Sequence, residues 1–136
     1  MICLDPGITT GWAVLADDET LLATSVWGNA DVKESLDKLI RVLHSRNFTL
    51  RATVEKMPRT GGISPLGQKL EIVNHEIREI LDIYEIPTTY VLPGTWKNSR
   101  PARVFKVPRK WRDDTVVIHQ RDAMRMGAYQ LWKEKQ

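Results

Sequence analysis

The spacing of apolar and polar residues changes several times along this chain, and each change predicts an element. Residues 1–4 are apolar, residues 11–16 are apolar again, and Asp5, Pro6, Gly7 and a polar bend at Thr9 and Thr10 lie between them. Both runs read as strands. Asp17, Asp18 and Glu19 form a polar turn, and residues 20–27, apolar and β-branched, read as a third strand. Three early strands with short turns predict an antiparallel meander. The period then becomes helical. Asp31 with Glu34 three residues later has the capping-box pattern, and Val32, Leu36, Leu39, Ile40 and Leu43 recur on one face.

Residues 51–54 form a short strand running into Glu55, followed by a Pro- and Gly-containing loop from Met57 to Gly62. A long helix is expected over about 64–84. Leu66, Leu70, Val73, Ile77, Ile80 and Tyr84 form its heptad-like stripe. At about 100° per residue, Ile72 and Ile83 fall on another side, either as ordinary exposed residues or as a dimer contact. Residues 88–92 read as a fifth strand, and a final helix runs from about 117 to 135. The alternation predicts an α/β fold with a five-stranded mixed sheet flanked by helices.

The length of 136 residues suits a single domain spanning 1–136. No apolar run reaches membrane-spanning length, and no secretory leader is evident, so no membrane partner is expected. The single cysteine, Cys3, excludes an internal disulfide and fits a reducing, cytoplasmic compartment, bacterial or that of a phage-infected host. The net charge of +3 says little, but its distribution says more. Residues 86–112 contain no acid and carry Lys97, Arg100, Arg103, Lys106, Arg109, Lys110 and Arg112, bracketed by Trp96 and Trp111. A basic loop with aromatics suits contacts to a phosphate backbone.

The acids raise a sharper question. Asp5 ends the first strand, Glu55 ends the fourth, and Asp122 lies early in the last helix with His119 one turn before it. A buried, unpaired carboxylate is costly, so Asp5 requires a partner, and a cation is the simplest one. Residues three apart share a helix face, so His119 and Asp122 can point at one spot. If the first and fourth strands are neighbours, Asp5 and Glu55 converge there too. Three carboxylates and an imidazole suit a divalent metal. Asp17, Asp18, Asp113 and Asp114 read instead as turn and cap residues.

"LDPGITTGWAV" resembles the first-strand motif of the RuvC-type Holliday-junction resolvases, in the RNase H-like superfamily. "ATVEKMP" resembles the segment holding that family's central glutamate, "PLGQKLEIVNHEI" its following helix, and "HQRDAMRMGAY" its closing motif. The resemblance implies an RNase H-like fold and metal ligands at Asp5, Glu55, His119 and Asp122. Two Mg²⁺ ions would be held, with Mn²⁺ able to substitute. Asp5 would bridge them, Glu55 would hold one, and His119 with Asp122 the other. It also implies a homodimer through the helix bearing Ile72 and Ile83, and branched DNA as partner, which Lys56, Arg59 and the basic segment are expected to contact. No nucleotide cofactor is implied. The short chain suggests a compact, phage-encoded version. Two departures stand out. Met57, Pro58 and Arg59 occupy the place of the family's aromatic wedge, and the segment before the last helix is rich in Pro, Arg and Lys.

The expected activity is a metal-dependent endonuclease making paired symmetric cuts in four-way junctions, leaving 5′-phosphates. The alternatives are a flap- or hybrid-cutting nuclease of the same fold, or a non-catalytic DNA-binding module. An actin-like ATPase also carries a first-strand Asp followed by Gly and Thr, but it needs two such domains, and this chain has room for one.

Overall fold

The computed structural model describes residues 1–56, 64–109 and 118–136. Strands β1 (Ile2–Asp5), β2 (Thr9–Leu15) and β3 (Leu21–Gly28) form the expected antiparallel meander. Strands β4 (Ala52–Glu55) and β5 (Thr88–Val91) extend the sheet in parallel from the other side of β1, giving the order β3-β2-β1-β4-β5. Asp5 and Glu55 therefore leave the sheet at the same end of two neighbouring strands.

Strand alternation divides the core between two faces. Ile2, Leu4, Ala52 and Val54 pack with residues of α1 (Val32–Ser45) and α2 (Pro65–Ile83). Met1, Cys3, Ala13 and Leu15 pack on the opposite face with residues of α5 (Ile118–Glu134) and of two one-turn helices, α3 (Pro93–Trp96) and α4 (Arg100–Val104). The result is a sheet covered on both faces.

Three local expectations change. Asp31 precedes α1, but its side chain makes no cap hydrogen bond. Its backbone is already near-helical (φ −106°, ψ −7°), whereas a capping side chain needs an extended one. Ser64, by contrast, is extended and accepts from the Gly67 N–H at 3.0 Å, with Pro65 opening α2. The stripe of α2 holds at Val73, Ile77 and Ile80, but Leu66 is exposed. A helix of 19 residues spans about 28 Å, while a four-residue strand such as β4 spans about 13 Å, so the first turn of α2 overhangs the sheet. The basic segment is not simply a loop. Pro93 and Pro101 open α3 and α4, and Ser99 caps α4 by accepting from the Ala102 N–H. Trp96, expected on the surface, is buried to 1% exposure.

Helix α5 lies unusually close to the sheet, and glycines permit it. A Cβ on Gly11 of β2 would lie 2.1 Å from the carbonyl carbon of His119. A Cβ on Gly127 of α5 would lie 2.4 Å from the Cys3 Sγ. At the far end, the Arg51 guanidinium binds Glu134 at 2.8 Å and Asp17 at 2.9 Å, tying the end of α5 to the sheet. Asp18 is a turn former, as expected, accepting from the Thr20 N–H.

Gly11→Ala should destabilise the protein by about 3 kcal/mol, the upper end of overpacking costs, because the clash is with backbone that no rotamer change can move. A thermal melt within about 1 °C of wild type would show that α5 does not need this approach.

Candidate active site

Asp5 sits at the end of β1, paired across the antiparallel ladder with Gly11. Its side chain projects to the α5 face, one step past the Leu4–Val54 pair of β1 and β4. Glu55 ends β4 beside it. Because Gly11 has no side chain, the first turn of α5 descends over Asp5. The His119 Nδ1 lies 2.9 Å from the Asp5 Oδ2. Asp122, one turn further, carries its carboxylate toward the same acids. Lys97, the residue after α3, brings an ammonium near enough to act on Asp5, Glu55 and Asp122 alike.

The electrostatics show how unfavourable this set is. Burial pushes the Asp5 carboxyl up to about 6, and Asp122 adds to the rise, while the hydrogen bond and charge of His119 and the charge of Lys97 oppose it. Burial likewise pushes Glu55 up to about 7, with Asp5 adding repulsion and Lys97 and a Trp96 hydrogen bond opposing it. Asp122 is also raised, again mainly by burial. Burial thus opposes ionisation of all three acids, and neighbouring acids add to it at Asp5 and Glu55, which invites a multivalent cation.

As donors, three carboxylates and an imidazole fit Mg²⁺ or Mn²⁺ in kind. They do not form a preassembled cage: among the described residues, no three His, Cys, Asp or Glu side chains close on one point. His119 pairs with Asp5 instead, so closing the set on a cation takes side-chain rotation.

The other expected residues fall as follows. Lys56, Lys97, Arg100, Arg103, Lys106 and Arg109 are exposed. Lys97 stands at the carboxylates, and Arg100 and Arg103 lie on α4 just beyond it. Ile72 and Ile83 are exposed at 56% and 62%. Arg59 and Lys110 lie outside the described residues, as do Trp111, Arg112, Asp113 and Asp114. A groove of about 720 Å³, lined by residues including Arg100, Phe105, Lys106 and Trp132, lies toward the opposite end of α5 from His119.

Sequence reasoning passed over two residues that shape the site. Gly11 could have been found from its place opposite Asp5 in the predicted hairpin. Trp96 could not, because a one-turn helix has no periodicity to read.

Two solved structures show the same architecture. A structure of T. thermophilus RuvC in complex with a Holliday junction substrate matches with a TM-score of 0.69 at 16% identity, covering 98% of this chain and 94% of that one. A Thermus thermophilus RuvC structure matches with a TM-score of 0.62 at 14% identity, over 98% and 95% of the two chains. The chain has the RuvC type of RNase H-like fold. No protein-family model matches it, and no curated protein matches it in sequence. Among the described residues, no helix is long and apolar enough to cross a membrane.

The raised carboxylates give a stability prediction with a definite sign. Each acid has a native pKa above its unfolded value near 4, so the native state holds the extra protons. The stabilising contribution is present below pH 4 and is lost as pH rises through about 6 for Asp5 and about 7 for Glu55. In EDTA, the Tm difference between wild type and Asp5→Asn should therefore shift in favour of Asp5→Asn between pH 5 and pH 8. Mg²⁺ should raise the wild-type Tm more at pH 8 than at pH 5. A pH-independent difference, or an equal Mg²⁺ effect at both pH values, would contradict the electrostatic reading.

Proposed function

We propose that this chain is a metal-dependent, structure-selective DNA endonuclease that resolves four-way junctions by paired cuts. The observation that carries the proposal is the assembly of Asp5, Glu55, His119 and Asp122 from two parallel strand ends and the first turn of α5. It is supported by the match of nearly the whole chain to the fold of a RuvC bound to a Holliday junction.

Asp5, Glu55, His119 and Asp122 would hold two Mg²⁺ ions. Bound there, the ions would supply an activated water and charge stabilisation for the leaving 3′ oxygen, giving 5′-phosphate and 3′-hydroxyl ends. The remaining work belongs to the chain. Asp5, the most buried acid, lies between Glu55 and the start of α5 at the end of β1 and would contribute to holding both ions. His119, hydrogen-bonded to Asp5, would hold a cation only in its neutral form. Lys97 offsets carboxylate charge in the metal-free site and is placed to meet a DNA phosphate when the ions take over that task. Arg100, Arg103, Lys106 and Arg109 continue the basic surface away from the acids and bind backbone without reading bases.

Four-way junctions have two equivalent strands to cut, and a two-fold dimer matches that symmetry. The exposed face of α2 at Ile72 and Ile83 is our candidate for the contact. No aromatic wedge stands after Glu55 in the sequence, so opening of the junction would rest on the basic surface rather than on an inserted ring.

Labelled four-way junction, flap, duplex and RNA–DNA hybrid should be incubated with the protein in Mg²⁺, with EDTA as control. Symmetric junction cleavage is expected, abolished by EDTA. Asp5→Asn should lower the rate at least 1,000-fold, roughly 4 kcal/mol of barrier, while junction binding in a gel shift stays within about twofold. Preferential cutting of flaps or hybrids would reassign the substrate, and near-normal cleavage by Asp5→Asn would falsify the metal assignment. The double substitution of Ile72 and Ile83 by lysine should give a folded monomer in sedimentation that makes single rather than paired cuts. A variant that remains dimeric would place the interface elsewhere.

A further inference from the structure

We infer that Trp96 is a positioning residue for the metal site, orienting the Glu55 carboxylate through its indole N–H; this rests on the metal-binding reading above. The Trp96 Nε1 donates to the Glu55 Oε2 at 3.0 Å. The ring is almost wholly enclosed, at 1% exposure. Burial alone does not guarantee such a bond, since the equally enclosed Nε1 of Trp12 has no partner.

The support behind the indole is rigid. Pro93 opens α3, and the Lys97 N–H donates back to the Pro93 carbonyl at 3.1 Å. The Ser99 hydroxyl and backbone N–H both donate to the Trp96 carbonyl, at 2.6 and 3.0 Å. The Lys56 N–H donates to the Val91 carbonyl at 2.8 Å, fixing the exits of β4 and β5 to one another. Glu55 and Trp96 therefore come from two tied strand ends, and their relative position is set by backbone.

The chemistry of the donor matters. A glutamate has three side-chain torsions, and a half-exposed one samples several rotamers. The indole N–H restricts that sampling by holding one carboxylate oxygen, and the other remains available to a cation. Unlike Lys97, the indole is neutral, so it orients Glu55 without cancelling the charge the cation needs. Hydrogen bonds to ligating carboxylates commonly change metal affinity by about 10- to 100-fold.

The test reads metal binding directly, in the absence of DNA, by Mn²⁺ electron paramagnetic resonance titration of wild type, Trp96→Phe, Glu55→Gln and the double variant. Trp96→Phe should raise the Mn²⁺ dissociation constant by about tenfold or more. The double variant should bind no more weakly than Glu55→Gln alone. Wild-type Mn²⁺ affinity in Trp96→Phe, or an equal weakening in the Glu55→Gln background, would overturn the positioning role. Wild-type Mn²⁺ affinity in Glu55→Gln would instead remove Glu55 from the metal site. Should Trp96→Phe fail to fold, the five tryptophans of the wild-type chain supply a second readout. One indole N–H resonance should shift in Glu55→Ala and also on adding Mg²⁺ to the wild type. Five indole signals unmoved by Glu55→Ala would rule the contact out.

Discussion

The approach of α5 to the β1–β2 hairpin is the contact on which the rest depends. It brings an imidazole and a carboxylate from residues 119 and 122 to an aspartate at residue 5, and no local interaction could do so. The approach is possible because Gly11 faces the helix backbone at His119, and Gly127 faces Cys3 and Leu15 a little over two turns later. Between them Ala123 is fully buried. Small residues at these places let the backbones pack closely, so dispersion contacts replace what bulkier side chains would have contributed. The same closeness removes water from Asp5.

That loss of water sets up the opposing force. Burial dominates the rise of Asp5, Glu55 and Asp122; repulsion adds to it, from Asp122 at Asp5 and from Asp5 and Asp122 at Glu55. The nearby cationic or potentially cationic groups, His119 and Lys97 with Arg125 and Arg121 at Asp122, only partly compensate. The fold therefore holds its acids in a strained ionisation state, tolerated because the hydrophobic layers above and below are extensive. Such local electrostatic cost is common at functional sites.

Much of this was legible in the sequence. Alternating apolar residues in β1 to β3 gave the meander, and the 3.6-residue stripes gave α1 and most of α2. That Asp5 and Glu55 lie at neighbouring strand ends, with His119 and Asp122 near the start of α5, followed from where the apolar patterns begin and end; their reading as ligands came from the family resemblance. What was not legible follows from short range. Helices α3 and α4 have 4 and 5 residues, too few for a period, and their prolines and basic residues resemble loop composition. Trp96 looked like a surface aromatic among cations because sequence distance to Glu55 is large, whereas β4–β5 pairing makes their spatial distance small. Leu66 was misread for the opposite reason: its spacing is right, but the sheet beneath it has ended.

The burial of Trp96 also changes the meaning of the basic segment. As a loop, its cations would form a diffuse cloud with no fixed relation to the acids. As two proline-opened turns, the second capped by Ser99, anchored by Trp96, Ala102 and Val107 in the α5-side core, they have a defined origin at the site. Lys97 follows the anchor directly and faces the carboxylates. Arg100 and Arg103, on the next short helix, lie outward from it, and Arg103 falls in that helix's last turn, where a cation is favourable. On the proposed activity, a phosphate backbone following these charges inward would be led to the place where Asp5, Glu55 and Asp122 meet. The cations of α4 and the acids at the strand ends are thus joined through the buried Trp96 indole, and the spacing between them is fixed by the core rather than by a flexible loop.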